Sequence, residues 1–156
     1  LLRLLFGRKL GEDYAGELFS IGGRPAHMFE MFALTNFLLC SAVALNVGKQ
    51  GSKRGQSTRE MQRNCAGHFC AVMRILEPTV IVAQGKGVRK WMSPIVESLE
   101  TLGPCLERVR LADHSCLLAS FTHPSVPSKE NWGTDEKRPY LLGSVRTAVD
   151  SIRSAV

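Results

Sequence analysis

The chain lacks any apolar run approaching the ~20 residues of a membrane-spanning helix, so no helical span is expected. Its apolar start, Leu1-Leu2-Arg3-Leu4-Leu5-Phe6, is also too short for the core of a secretory signal. A cysteine framework is missing as well. The five cysteines are odd in number and irregularly spaced, in a chain large enough to fold without disulfide staples. That usage implies a reducing, cytoplasmic compartment. Internal repeats and low-complexity segments are absent, which argues against a repeat array. Leu1 is not a methionine, which leaves room for residues upstream of it.

What is present fits a globular domain with a polyanionic partner. At 156 residues, 44% hydrophobic and 22% charged, the chain can bury one core, and a single domain over 1–156 is expected. Twenty Lys and Arg against fourteen Asp and Glu leave a net charge of +6. Such a balance favours a polyanionic partner, without specifying one. A monomer is the expected state.

Along the chain, Tyr14, Leu18 and Ile21 have helical spacing, and Gly22-Gly23 supplies a stop. Phe32-Ala33-Leu34-Thr35 reads as a short buried strand. From Asn46 to Gln56 the chain becomes a loop carrying Lys49, Lys53 and Arg54. Ser57 precedes Glu60 by three residues in a capping-box arrangement, and Met61, Cys65, Phe69, Val72, Met73 and Leu76 form the apolar stripe of the helix that follows. Thr79 to Ala83 is a β-branched run, the profile of a central parallel strand. Ser93-Pro94 predicts a further helix start and Gly103-Pro104 its end. Glu107–Leu111 and Cys116–Thr122 read as strands. A long polar loop then leads to a closing helix with Leu142, Val145, Val149 and Ile152 inward. Alternating strands and helices predict a three-layer α/β/α sandwich.

Three stretches place polar residues or glycine where an apolar run stops: Leu34-Thr35-Asn36 with Cys40 beyond it, Pro78-Thr79-Val80-Ile81-Val82 running to Gly85, and Phe121-Thr122-His123-Pro124-Ser125. In an open α/β sheet the carboxyl edge of parallel strands is where ligands bind. Asn36 offers an amide donor and acceptor that suit a pyrimidine edge, and equally suit a turn backbone. Pro124 stiffens the turn after His123, and Ser125 adds a hydroxyl and an amide suited to a phosphate oxygen. Gly85 permits either close approach of a ligand or a tight strand-to-helix turn.

In order, spacing and identity these stretches resemble the uracil-DNA glycosylase superfamily, most of all its bacterial and archaeal branch, many members of which carry an iron-sulfur cluster. The resemblance runs from about Gly11 to the C-terminus. It implies a uracil-DNA glycosylase-like fold with a mostly parallel sheet, in which Asn36 reads the base and His123 contacts the base oxygen on which charge builds. A donor aimed at developing charge in a dry pocket is commonly worth ~3 kcal/mol of barrier.

Cys40 and Cys65 match two cluster ligands of that branch, but its other two cysteines lie near the N-terminus and no Cys precedes Cys40 here. A cluster would therefore need two cysteines upstream of Leu1, and no cofactor is expected from this chain. Cys65, His68 and Cys70 share one helix face only imperfectly, so no metal is expected either. The family's water-activating segment is not visible in this chain, so it either lies upstream of Leu1 or is lacking. Gly11-Glu12-Asp13-Tyr14 carries carboxylates, but these fit the first turn of a helix.

The expected function is a monofunctional DNA glycosylase acting on a flipped uracil or another modified pyrimidine. Asn36 would bind the base and His123 would be catalytic. Ser125, Lys49, Lys53, Arg54 and Lys129 would meet phosphates, with Val126-Pro127 entering the gap left by the base. The alternatives are a catalytically silent module for modified or abasic DNA and an unrelated small-molecule enzyme or scaffold.

Overall fold

The computed structural model describes residues 18–21, 23–27, 30–39, 42–43, 55–56, 58–124, 126–127, 129–132 and 137–155. The chain divides into two compact units, Leu1–Asn36 and Phe37–Val156. In the first, strand β1 (Leu18–Ile21) pairs antiparallel with β2 (Arg24–His27), Leu18 opposite His27 and Ile21 opposite Arg24. Gly23 joins them with a φ of +79°, a conformation that glycine adopts without the steric cost of a Cβ. The helix expected up to Ile21 is thus replaced by a hairpin over its last four residues, and residues 11–17 lie outside those described. Phe32–Thr35 joins no ladder. Its Leu34 is 91% exposed, so the expectation of a buried strand there is not met.

The second unit begins with a short antiparallel pair, β3 (Ala42–Val43) and β4 (Gly55–Gln56), so the expected basic loop ends in paired backbone. Helix α1 (Arg59–Leu76) is capped by Thr58, whose Oγ1 accepts the Met61 amide at 3.1 Å. Capping therefore falls one residue after the predicted Ser57. Cys65, Ala66, Phe69 and Met73 form its buried stripe, while Leu76 stays 45% exposed. Glu77 ends the helix in the left-handed region, its amide bonded to the Met73 carbonyl, and Pro78 prevents continuation.

The main sheet has the order β5 (Val80–Gln84), β8 (His114–Phe121), β7 (Leu106–Leu111), β6 (Val96–Gly103). Only β5 and β8 are parallel. The other two pairings are antiparallel, so this α/β fold has a mixed sheet where a mostly parallel one was predicted. The reason is loop length. Two residues separate β6 from β7 and β7 from β8, whereas a parallel crossover needs a dozen or more. Ala112 and Asp113, with φ of 51° and 71°, make the second of these turns. Positive φ at both central residues matches the right-handed twist of the flanking strands.

The helix predicted after Ser93-Pro94 is strand β6. Leu99 and Leu102 are extra residues where the register with β7 shifts, and both are exposed. The helix of this region comes earlier, as α2 (Lys86–Met92), starting directly at Gly85.

Phe69 and Met73 of α1 and Met92 of α2 pack with Ala83, Val109, Leu111, Cys116 and Leu118 on one face of the sheet. Phe37 joins them, its ring centroid 5.3 Å from Phe69 and 6.3 Å from Trp91. Burial pushes the Cys116 thiol up, as expected of a cysteine acting as a small core residue. Leu106, Leu117, Ala119 and Phe121 alternate onto the opposite face and are buried as well. A π-helical segment, Leu141–Arg146, runs into α3 (Thr147–Ala155), burying Leu141, Val145, Ala148, Val149 and Ile152. Leu142, predicted inward, is 46% exposed. The wider π turn brings positions four apart into phase, which favours Leu141 with Val145.

Candidate functional site

The parallel pair ends where the sequence turns from apolar to polar. β5 stops at Gln84 and β8 at Phe121, and the Gly85 amide donates to the Phe121 carbonyl at 2.7 Å. Gly85 holds a φ of +119°, and α2 starts at the next residue. Of its two readings, the strand-to-helix turn is therefore the one with a structural requirement behind it. A cleft of about 390 Å³ opens beside this edge, its lining including Lys86, Arg89, Cys105, Phe121, Thr122 and Tyr140.

Thr122 is 3% exposed, and all three of its polar groups are engaged. Its amide donates to Tyr140 Oη at 3.2 Å, its hydroxyl donates to the Glu130 carbonyl at 2.7 Å, and its carbonyl accepts Trp132 Nε1–H at 2.8 Å. The Trp132 ring also stands edge-on to Phe121, centroids 5.8 Å apart. Tyr140 Oη lies 3.6 Å from Cys105 Sγ. Burial, then the Cys105 thiol, pushes the phenol up, so it stays neutral and accepts the Thr122 amide with its own proton available to the sulfur.

Charged groups frame the cleft in pairs. Lys86 Nζ meets Glu130 Oε1 at 2.7 Å, an exposed pair worth little in stability. Arg89 holds Glu107 through two hydrogen bonds, and these keep the Glu107 carboxyl below its ordinary range against the opposing effect of burial. Ser120 Oγ, fully buried at the cleft wall, has no hydrogen-bond partner among the described residues.

Beyond Thr122 the backbone turns tightly, the Val126 amide donating to the His123 carbonyl at 3.0 Å and the Trp132 amide to that of Pro124 at 3.4 Å. The His123 side chain is exposed, and it is not among the residues lining the cleft. Lys129 is exposed in the same loop. Asn36 is exposed at the end of an irregular stretch of the first unit, which corrects its expected place at a strand end. Ser125, Lys49, Lys53 and Arg54 lie outside the described residues. The structure therefore brings the Gly85 turn and the His123 turn to one sheet edge, and leaves Asn36 in a separate unit.

Cys65 is buried in α1, where its Sγ accepts the Leu39 amide at 3.4 Å, and Cys40 lies outside the described residues. Among the described residues no three His, Cys, Asp or Glu side chains gather in a metal-binding group. Also among them, no helix is long and apolar enough to cross a membrane.

Trp132 and Tyr140 escaped the sequence reading. The available signal was a single aromatic residue in the polar stretch from His123 to Arg138, which marks a loop anchored to its core. No protein-family model matches the chain, and neither a curated protein nor a solved structure matches it.

Proposed function

We propose that this chain is a DNA glycosylase that hydrolyses the N-glycosidic bond of a uracil or other modified pyrimidine flipped out of DNA. The observation that carries the reading is the bond from the Gly85 amide to the Phe121 carbonyl. It draws the ends of two of the three resembling segments to one carboxyl edge of parallel strands, the edge at which α/β sheets bind ligands. One residue past the buried Thr122, an exposed imidazole suits a donor to the departing base oxygen. Asn36 reads the base edge. Ser125, Lys49, Lys53, Arg54 and Lys129 meet phosphates.

A three-layer arrangement belongs to the same proposal, supported by buried residues on both faces of β8. So do a monomeric state and a reducing, cytoplasmic location, the latter supported by free Cys65, Cys70, Cys105 and Cys116. A second reading, a silent module that binds modified or abasic DNA, is favoured by His123 standing outside the cleft lining. Single-turnover incubation of the full-length protein with duplexes carrying uracil or a panel of modified pyrimidines, followed by alkaline cleavage of abasic product, separates the two. Strand cleavage on one member supports the glycosylase. Tight binding with no base released from any member supports the module.

A further inference from the structure

We infer that Trp132 and Tyr140 are positioning residues for His123, acting through Thr122. The inference rests on the role proposed for His123, but its geometric part stands on hydrogen bonds alone. A turn that carries a reacting side chain just past the end of a strand is free to swing about the last fixed residue. Here that residue is Thr122, and its amide, hydroxyl and carbonyl are each held by a different partner: Tyr140 Oη, the Glu130 carbonyl and Trp132 Nε1. Three bonds of separate direction on one residue leave its backbone no soft rotation. The peptide joining Thr122 to His123 is fixed at its Thr122 carbonyl end by an indole that is itself 5% exposed and packed against Phe121.

Both ring partners come from chain that follows the site. Trp132 also donates its backbone amide to the Pro124 carbonyl, so one residue grips the His123 turn on both sides. Tyr140 is set by the helical segment that continues into Leu141 and Val145, both buried. The long polar loop from His123 to Arg138 is thus tied back at Trp132. Misplacing a reacting group by about 1 Å commonly costs two orders of magnitude in rate, so such a clamp has a kinetic consequence.

The test uses isosteric changes in the full-length protein. Trp132→Phe keeps a ring against Phe121 and loses the donor, Tyr140→Phe keeps the ring and loses the acceptor, and Thr122→Val removes the hydroxyl that Thr122→Ser restores. With a pyrimidine substrate that the wild type excises, Trp132→Phe and Tyr140→Phe are expected to slow single-turnover release about tenfold or more, with DNA Kd within threefold. Thr122→Ser should recover most of the rate lost in Thr122→Val. A merely structural role would lower melting temperature without this split. Independently of catalysis, the imidazole resonances of His123 and the amide exchange of Thr122 and His123 should change in Trp132→Phe, Tyr140→Phe and Thr122→Val, and not in Thr122→Ser. Unchanged resonances and exchange in the three disrupting variants would overturn the clamp, even if the wild type excises bases. Changed resonances in the three disrupting variants, with a wild type that excises nothing, would keep the clamp and remove the glycosylase reading.

Discussion

Arg89 and Glu107 meet through paired hydrogen bonds, 2.7 Å from Nε to Oε1 and 3.1 Å from Nη2 to Oε2, across the join between α2 and β7. Their side chains are only 26% and 18% exposed, which sets this pair apart from the ion pairs of the outer surface. It ties the helix that starts at Gly85 to the sheet beneath the candidate site.

Arg89→Met should therefore cost about 1 to 3 kcal/mol, the range for hydrogen bonds to a charged group left unpartnered. The loss should depend on pH. The Glu107 carboxyl is held below its ordinary range chiefly by Arg89, so its contribution is full above the unfolded carboxylate pKa and fades as pH falls through the lowered folded value. Urea unfolding of wild type and variant should show a wide gap at neutral pH that narrows in acid. An equal gap at both would place the stabilisation elsewhere.

Glycines at two positions should respond in opposite directions to alanine. At Gly85 the added Cβ meets only Val88 Cγ2 at 3.7 Å, so space is adequate and the φ of +119° decides the cost. A loss of about 1 to 3 kcal/mol is expected from that strain. At Gly67, inside α1 and with nothing within 4 Å, alanine should stabilise by about 0.5 to 1 kcal/mol. Denaturant midpoints of the two variants check both signs, and a neutral Gly85→Ala would show that the turn relaxes.

The β7–β8 turn stores a correctable strain, because Ala112 and Asp113 both adopt positive φ. Replacing them together with Asn and Gly suits this turn type and should raise stability by about 1 kcal/mol. The same change removes the ion pair between Arg74 and Asp113, which is long, at 3.7 Å, and exposed, so its removal should subtract little. Thermal unfolding of the double variant is the measurement. A lowered midpoint would mean that Asp113 does more than occupy the turn.

For the basic loop, removing Lys49, Lys53 and Arg54 together should flatten the slope of log DNA affinity against log salt by about 2 to 3 units if each meets a phosphate. An unchanged slope would take the loop out of the interface.

Strand β5 and the Gly85 turn were legible because a β-branched run between Pro78 and Gly85 admits few other structures. The direction of the remaining strands was encoded too, in the short spacings around Pro104-Cys105 and Ala112-Asp113, since so few residues cannot carry a crossover. Strand β6 was hidden for a different reason. Val96-Glu-Ser-Leu-Glu-Thr-Leu contains good helix formers, and its ladder with β7, which sets Glu97 beside Arg110 and Glu100 beside Arg108, overrides that preference. At the site, Thr122 and His123 stood out because an apolar strand stops there. Trp132 and Tyr140 did not, because a side chain bonded to a distant backbone group leaves no periodicity in the sequence.

The most direct measurement is single-turnover base release by wild type and His123→Ala on the same uracil-containing or modified duplex, with DNA affinity determined alongside. If the imidazole stabilises the departing base, its contact strengthens only as charge develops, so the variant should release base about a hundredfold or more slowly while Kd stays within a few-fold. Equal release rates for the two proteins, or no release by the full-length wild type from any duplex of the panel, would contradict the account.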